Sequence, residues 1–521
     1  MTTGTYPEAS AAAATTPESW RPAIRHAGRV VSAAAFLGVG GQLLFVEAGL
    51  GINFPLAIAA LLSGGWLVRR RTPSPRDPDA WLAPAAVVFA SFAAVRADPT
   101  IVSLDVVTSL GLAGGWLAAL GGLRVTARPF WSVVGLGARV AGWATAGAVP
   151  ALADARRELP PAAKLDGHRR RALPFVRGLA IAVPLVLVFV ALFSSADAVF
   201  ARIVGDWFGL ELDLGDLPAR GLLAVALGWI ACGWLALASA AHRAERTGHT
   251  ERAADAWHLG TTESVVVLAA VVVVFAFFVV LQAAYLFGGL DTLKATGLTY
   301  AEYARRGFFE LVAVAILAGG LVVGIERLTA ARTRRLLAIA ISLVVLTGVV
   351  LASAAVRLRL YQEAYGWTEL RLYVLATIAL LAVGGVALLV ALVTDRVRWI
   401  GHALIVAALS IGVALNVIGP VRFINEQNVA RVLDPDLVPP SGRSGLDELY
   451  ALSLGDDAVP AMVRVLPFLD GAQARLLAES LGWRLEELRH DDGLNAWQAW
   501  NAGRVSAREA LERADARGQL P

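Results

Sequence analysis

Two stretches of the sequence carry residue types that could do chemistry in the same order. In the first, Tyr300, Glu302 and Tyr303 are followed by Arg305, Arg306 and Glu310. In the second, Tyr361, Glu363 and Tyr365 are followed by Glu369 and Arg371. Each has a tyrosine, a glutamate two residues later, a second tyrosine, and a Glu-Leu pair where an apolar run begins. A carboxylate in the first turn of a helix complements the helix dipole, and at the edge of hydrocarbon it needs a partner. Arg305, Arg306, Arg357, Arg359 and Arg371 are placed to supply one. The functional reading is a set of paired carboxylates and arginines lining a cavity open to the outside. The structural reading is an interfacial tyrosine belt with Glu/Arg pairs that pin loops.

Inside the apolar runs, Gln42 and Asp105 are the candidates for polar groups facing a bundle interior. One acid does not make a proton pathway. No phosphate-binding glycine loop, dinucleotide fingerprint, zinc-protease motif or nucleophile elbow is present, so neither a cofactor nor a catalytic residue is assigned. His242, His249 and His258 share one Arg/Glu-rich loop without metal-ligand spacing, and no metal is expected there. Cys232 is the only cysteine and lies in an apolar run, which reads as a small buried hydrophobe.

The elements that must position these residues follow from composition. The 521 residues are 57% hydrophobic and 17% charged, against roughly 25% charged in soluble domains. Apolar runs long enough to cross ~30 Å of hydrocarbon recur as far as Asn416. The fold class is therefore all-α, a polytopic transmembrane bundle with a small soluble helical domain after it. Eleven candidate spans are 30–46, 51–68, 81–95, 101–120, 173–193, 221–240, 264–287, 308–324, 336–356, 370–393 and 400–418. The net charge of +4 comes from loop arginines. It argues for membrane orientation and against nucleic-acid binding.

Arginine placement sets the topology. Arg21, Arg25 and Arg29 place the N-terminus inside, and Arg69, Arg70, Arg71 and Arg76 form the next inside loop. Arg124 and Arg128 are inside, and so is the cluster from Arg156 to Arg171. Two successive inside clusters cannot flank one crossing, so 131–149, with Arg139 near its middle, is expected to lie on the surface or re-enter without crossing. The later basic loops stay in phase, and an odd number of spans sends the C-terminal region outside.

Residues 1–28 read as a disordered cytoplasmic tail and 29–420 as the membrane domain, with a possible duplicated two-helix unit at 264–324 and 336–393. Residues 421–521 read as an extracytoplasmic helical domain. Its helices are expected at 445–454, 458–466, 472–481, 495–502 and 506–517, the last opened by a Ser506/Glu509 capping box. An amphipathic helix with an aromatic edge is expected from Asp197 to Phe208. Gly319-Gly320 and Gly384-Gly385 are expected to permit close helix packing.

The stretches 297–311, 361–366 and 369–373, with 193–200, 425–428 and 457–460, resemble a bacterial multi-pass membrane-protein family known only as a domain of unknown function, the four-one-five-three and four-one-seven-three groups. The resemblance implies a multi-pass membrane protein and brings no activity, substrate or catalytic residue. The expectation is a plasma-membrane (inner-membrane) protein, non-enzymatic and transporter-like or signalling. Its partners are membrane lipids and, through the C-terminal domain, a protein or ligand. The alternatives are an envelope transferase acting on a lipid-linked substrate at the outer face, and a structural scaffold.

Overall fold

The structure is a computed structural model that describes residues 24–69, 77–126, 130–158, 217–240, 259–287, 308–329, 331–439, 442 and 446–521. Residues 300–306, the expected span 173–193, the Asp197–Phe208 segment and the three loop histidines lie outside the described residues.

Helices α1 (Ala27–Phe45), α2 (Asn53–Arg69), α3 (Leu82–Phe92) and α4 (Pro99–Leu120) run up and down in succession, followed by α5 (Phe130–Ala146) and α6 (Ala148–Glu158). After them come α7 (Leu217–Ser239), α8 (Thr261–Phe287), α9 (Phe308–Leu328), α10 (Arg334–Tyr365), α11 (Glu369–Val393) and α12 (Ile400–Ile418). Eight of these are long and apolar enough to cross a membrane: α1, α4 and α7–α12. The fold is an all-α polytopic bundle. The exposed apolar side chains fit a lipid surrounding, among them Phe36, Val107, Val273, Leu317 and Val393.

Two faces of the bundle are distinguishable. The docking face carries the C-terminal domain and gathers the α1–α2, α3–α4 and α10–α11 connections with the end of α12. The opposite face gathers the start of α1, the ends of α2 and α4, and the α9–α10 and α11–α12 connections. Two acids tie that opposite face. Asp79, before α3, accepts from the Val125 and Thr126 amides beyond α4 at 3.1 and 2.8 Å. Asp395, after α11, pairs with Arg332, which also lies 3.5 Å from Glu326.

Helices α5 and α6 form a re-entrant hairpin. The indole of Trp234 donates to the Val140 carbonyl (3.1 Å) and that of Trp229 to the Thr145 carbonyl (2.7 Å), so α5 climbs antiparallel to α7 only to its middle. There Gly147 packs against the Gly233 backbone, where any side chain would collide. Helix α6 then returns, and Glu158 accepts from the Ala27 and Gly28 amides at 2.8 and 2.9 Å. That carboxylate caps the free amides opening α1, which is on the face where α5 began. The segment enters and leaves by the same face, as the arginine phase requires.

Of the glycines expected to permit close helix packing, only Gly384 has a close neighbour among the described residues. A Cβ on Gly319, Gly320 or Gly385 would meet nothing within 4 Å among the described residues, and one on Gly384 meets only the end of Leu404 at 2.7 Å. The tight crossing is α1 on α7, where a Cβ on Gly38 would lie 2.8 Å from the Gly228 Cα. Glycine pairs in the apolar runs mark small surfaces, but only the tertiary pairing decides which surface is used.

After Gly419 the chain turns into α13 (Pro420–Leu433), α14 (Glu448–Ser453), α15 (Val459–Val465), α16 (Gly471–His490), α17 (Asp492–Asn495) and α18 (Ala502–Asp515). Gly419 has φ 71°, a left-handed conformation that costs glycine little, and it redirects the chain at the membrane edge. Met462, Val465, Leu477, Leu481, Leu485, Leu488 and Leu511 form a core of the domain's own. The expected helix at 495–502 is instead a turn of 3-10 helix (Trp497–Ala499) between α17 and α18. The last helix begins earlier than its Ser506/Glu509 pair indicates. Its cap is Asn501, whose side-chain oxygen accepts from the Arg504 amide at 3.0 Å.

Candidate functional site

The α3–α4 connection, Ala93 to Pro99, is the hub where the bundle meets the C-terminal domain. At 11 residues α3 is too short to cross by itself, about 16 Å at the helical rise. Its end is completed by residues from the far end of the sequence. Asn501 donates its amide hydrogens to the carbonyls of Ala93 (2.8 Å) and Arg96 (2.7 Å). The backbone amides of Ala502 and Gly503 donate to the carbonyls of Ala94 (2.9 Å) and Val95 (3.1 Å). Asp457 accepts from the Ala97 amide at 3.2 Å. Nearby, the Gly49 amide donates to the Gly493 carbonyl and the Ile52 amide to the Trp500 carbonyl. The C-terminal domain is therefore backbone-bonded into the bundle.

Under this hub lies a group of buried acids. Asp98 is fully buried and caps α4, accepting from the Thr100 and Ile101 amides at 2.9 and 3.2 Å through one oxygen. Asp105, two turns further along α4, accepts 2.9 Å from the side-chain amide of Asn416 on α12. Glu369 opens α11, and Tyr373 lies one turn below it. The second oxygens of Asp98 and Asp105, one oxygen of Glu369 and the Tyr373 hydroxyl are all buried, with no hydrogen-bond partner among the described residues. These groups are close enough to act on one another electrostatically.

Burial is the main cause that raises the Asp98 carboxyl, which lies just outside its span, from 3.8 to about 6. Glu369 and Asp457 add to the rise, and the two capping amides oppose it. Asp457 is likewise pushed up by burial. Arg96 caps the hub from the side, donating to the carbonyls of Asn416 and Val417.

Above the acids is a cleft of about 770 Å³ opening on the docking face. Its floor includes Asp98 and Arg96, its rim Leu449, Leu452 and Trp483, and its wall Asp456, Arg484 and Arg504. Arg484 holds Asp456 in a bidentate pair at 2.7 Å for both oxygens. Burial pulls this guanidinium down, and Asp456 with Glu487 outweighs it, so it stays above the usual arginine range. Arg504, half-buried and less well paired, is pulled below it by the burial it has.

The structure divides the residues singled out in the sequence. The rings of Tyr361 and Tyr365 meet in a tilted contact with centroids 5.0 Å apart, and Arg371 lies 4.1 Å above the Tyr361 ring while donating to the carbonyls of Tyr365 and Gly366. Arg359 and Glu363 form an exposed pair at 3.0 Å, and Arg357 is half-buried on α10. The loop they bound is clamped by α13: Asn428 accepts from the Trp367 amide at 2.7 Å and donates to its carbonyl at 2.9 Å, and Arg431 donates to the Glu363 carbonyl at 2.7 Å. The Glu369 amide donates to the Tyr450 hydroxyl at 3.0 Å.

Of the second motif, only Glu369 joins the buried acids. Glu310 is exposed in the first turn of α9. Gln42 is buried on α1, which packs on α7, whereas Asp105 is central to the group. Sequence reasoning missed Asp98, Tyr373, Asn416, Asp457 and Asn501. Asp98 had a readable signal, an Asp-Pro step opening an apolar run, which is a helix cap.

A family model for a domain of unknown function, DUF4153, matches residues 83–465. The chain belongs to the DUF4153 family. The match begins earlier than the stretches that carry the resemblance in the sequence and covers α3 to α15, with all the buried acids. It leaves out α1, α2 and the last helices, so Asn501 and Arg484 lie beyond the DUF4153 region. Neither a curated protein nor a solved structure matches the chain.

Proposed function

We propose that this DUF4153 protein is a non-enzymatic, transporter-like or signalling component of the bacterial plasma membrane that binds protons at the acids beneath its C-terminal domain. The observation that carries the reading is the set of unpartnered oxygens on Asp98, Asp105, Glu369 and Tyr373. A buried carboxylate oxygen without a donor is costly in its charged form, and several together favour sharing protons. Asp98 connects the group to the open cleft, which gives protons and a charged ligand a common entrance. Asp457 and Asn501 connect the same group to the docked domain. A change in its charge therefore bears directly on how that domain is held.

The orientation follows from charge. Arg25, Arg29, Arg69, Arg124, Arg156, Arg157, Arg332, Arg334, Arg335 and Arg396 all belong to the face opposite the docked domain. That face is assigned to the cytoplasm and the C-terminal domain to the outside. The apolar rim of Leu449 and Trp483 suits a protein or ligand partner at the cleft. Potentiometric titration of the purified protein in detergent tests the reading. The wild type takes up more protons between neutral pH and about pH 5 than the Asp98→Asn variant. Equal uptake by both would sink it.

A further inference from the structure

A second cavity of about 460 Å³ lies on the other side of the hub. Five arginines line it: Arg96 from the α3–α4 connection, Arg422 from α13, Arg464 from α15, and Arg513 and Arg517 at the end of α18. Its acids are Glu426 and Asp457. Glu426 is already engaged, 3.0 Å from Arg422 and 3.9 Å from Arg464. Asp457 is nine-tenths buried and turned to the Ala97 amide. Among the described residues, Arg513 and Arg517 have no carboxylate partner: the Arg513 Nε donates only to the Glu509 carbonyl, one turn back. Four separate segments of the chain thus converge on one pocket with an excess of guanidinium charge.

The cavity also sits at a definite depth. Arg96 donates to the Val417 carbonyl at 3.1 Å, and Val417 and Ile418, the last residues of the α12 span, are 72% and 50% exposed. Val95, 42% exposed, is part of the lining. The arginines therefore stand where the hydrocarbon ends, beside an apolar surface that faces lipid. Guanidinium groups bind phosphate oxygens through paired hydrogen bonds, and clusters of them between membrane helices hold phosphate head groups.

We propose that this cavity is a phosphate-binding site, filled by the head group of an anionic phospholipid whose acyl chains lie along Val95, Val417 and Ile418. It shares Arg96 with the cleft and Asp457 with the acid group, but Arg464, Arg513 and Arg517 line this cavity and not the cleft, so the two readings are tested by different residues. The site would fasten the C-terminal domain to the membrane, because Arg464, Arg513 and Arg517 belong to the domain and Arg96 to the bundle.

Native mass spectrometry of the full-length protein tests it, with phosphatidylglycerol, an uncharged galactosyl diacylglycerol and soluble glycerol phosphate as probes. The wild type retains phosphatidylglycerol over the galactolipid, and Arg464→Gln/Arg513→Gln/Arg517→Gln weakens retention about tenfold or more, the scale of a lost charged hydrogen bond. Arg517→Gln alone, an exposed substitution, gives a smaller loss in the same direction if the triple variant does not accumulate. If glycerol phosphate binds with the same arginine dependence and phosphatidylglycerol is not retained, the phosphate site stands and its ligand is soluble. Retention of the galactolipid as firmly as phosphatidylglycerol, or phosphate binding untouched by both arginine variants, overturns the proposal.

Discussion

Asn501 donates both hydrogens of its side-chain amide into the end of α3, to the carbonyls of Ala93 and Arg96, while its side-chain oxygen caps α18. One buried residue thus finishes a membrane-embedded helix and starts a helix of the C-terminal domain. A short α3 is tolerable because the groups it leaves open are satisfied by protein rather than left facing lipid.

Replacing Asn501 with alanine leaves two buried carbonyls unpaired and removes a helix cap. Each carbonyl costs about 1–3 kcal/mol and the cap about 1 kcal/mol. Asn501→Ala should lower the unfolding midpoint of the detergent-solubilised protein and make the C-terminal domain easier to cleave with protease. An unchanged midpoint and cleavage pattern would show that the domain is held by other contacts.

Asp98 should make stability depend on pH. Its folded pKa, about 6, is above the unfolded value of 3.8, so between these the folded chain holds a proton that the unfolded chain has released. Stability from this group is greatest at low pH and is lost as pH rises through about 6. Asp98→Asn keeps the capping oxygen without the charge. Relative to wild type it should gain stability above about pH 6, by at most about 3 kcal/mol, and gain little near pH 4. Thermal melts of both proteins across this range check the sign. A variant that is less stable at high pH would contradict it.

The re-entrant hairpin makes a labelling prediction. In a Cys232→Ala background, Arg69→Cys and Arg157→Cys should react with a membrane-impermeant thiol reagent from one side, and Arg359→Cys from the other. Labelling of Arg157→Cys together with Arg359→Cys would mean that α5 and α6 cross.

The second Tyr/Glu motif is held by contacts within its own loop and to α13. Glu363→Gln breaks an exposed pair and should change stability by less than about 1 kcal/mol. Asn428→Ala unties both backbone groups of Trp367 and should cost about 1–3 kcal/mol, read as loss of accumulation and a lower unfolding midpoint. The opposite ranking would restore Glu363 to the candidate site.

Much of this architecture was legible in the residues. Apolar runs of spanning length are local properties, and they located the bundle; the arginine phase and Arg139 set 131–149 apart, and the structure pairs it with α6 as a hairpin with both ends at one face. The site was legible only in part. Asp105 and Glu369 stand out as acids in or beside apolar runs. Their grouping with Asp98, Tyr373 and Asp457 depends on α4, α11 and the C-terminal domain meeting, and no spacing encodes that. The same limit misplaced the start of α18: Ser506 and Glu509 have the right spacing for a capping box, whereas Asn501 is chosen because it also serves α3.

The most direct test of proton binding is difference infrared spectroscopy of the protein in lipid, between about pH 8 and about pH 5, following the carbonyl stretch of protonated carboxylic acids. The account predicts a carboxylic acid band that grows as pH falls through about 6 and is diminished in Asp98→Asn and in Asp98→Ala. A band identical in wild type and both variants would contradict it.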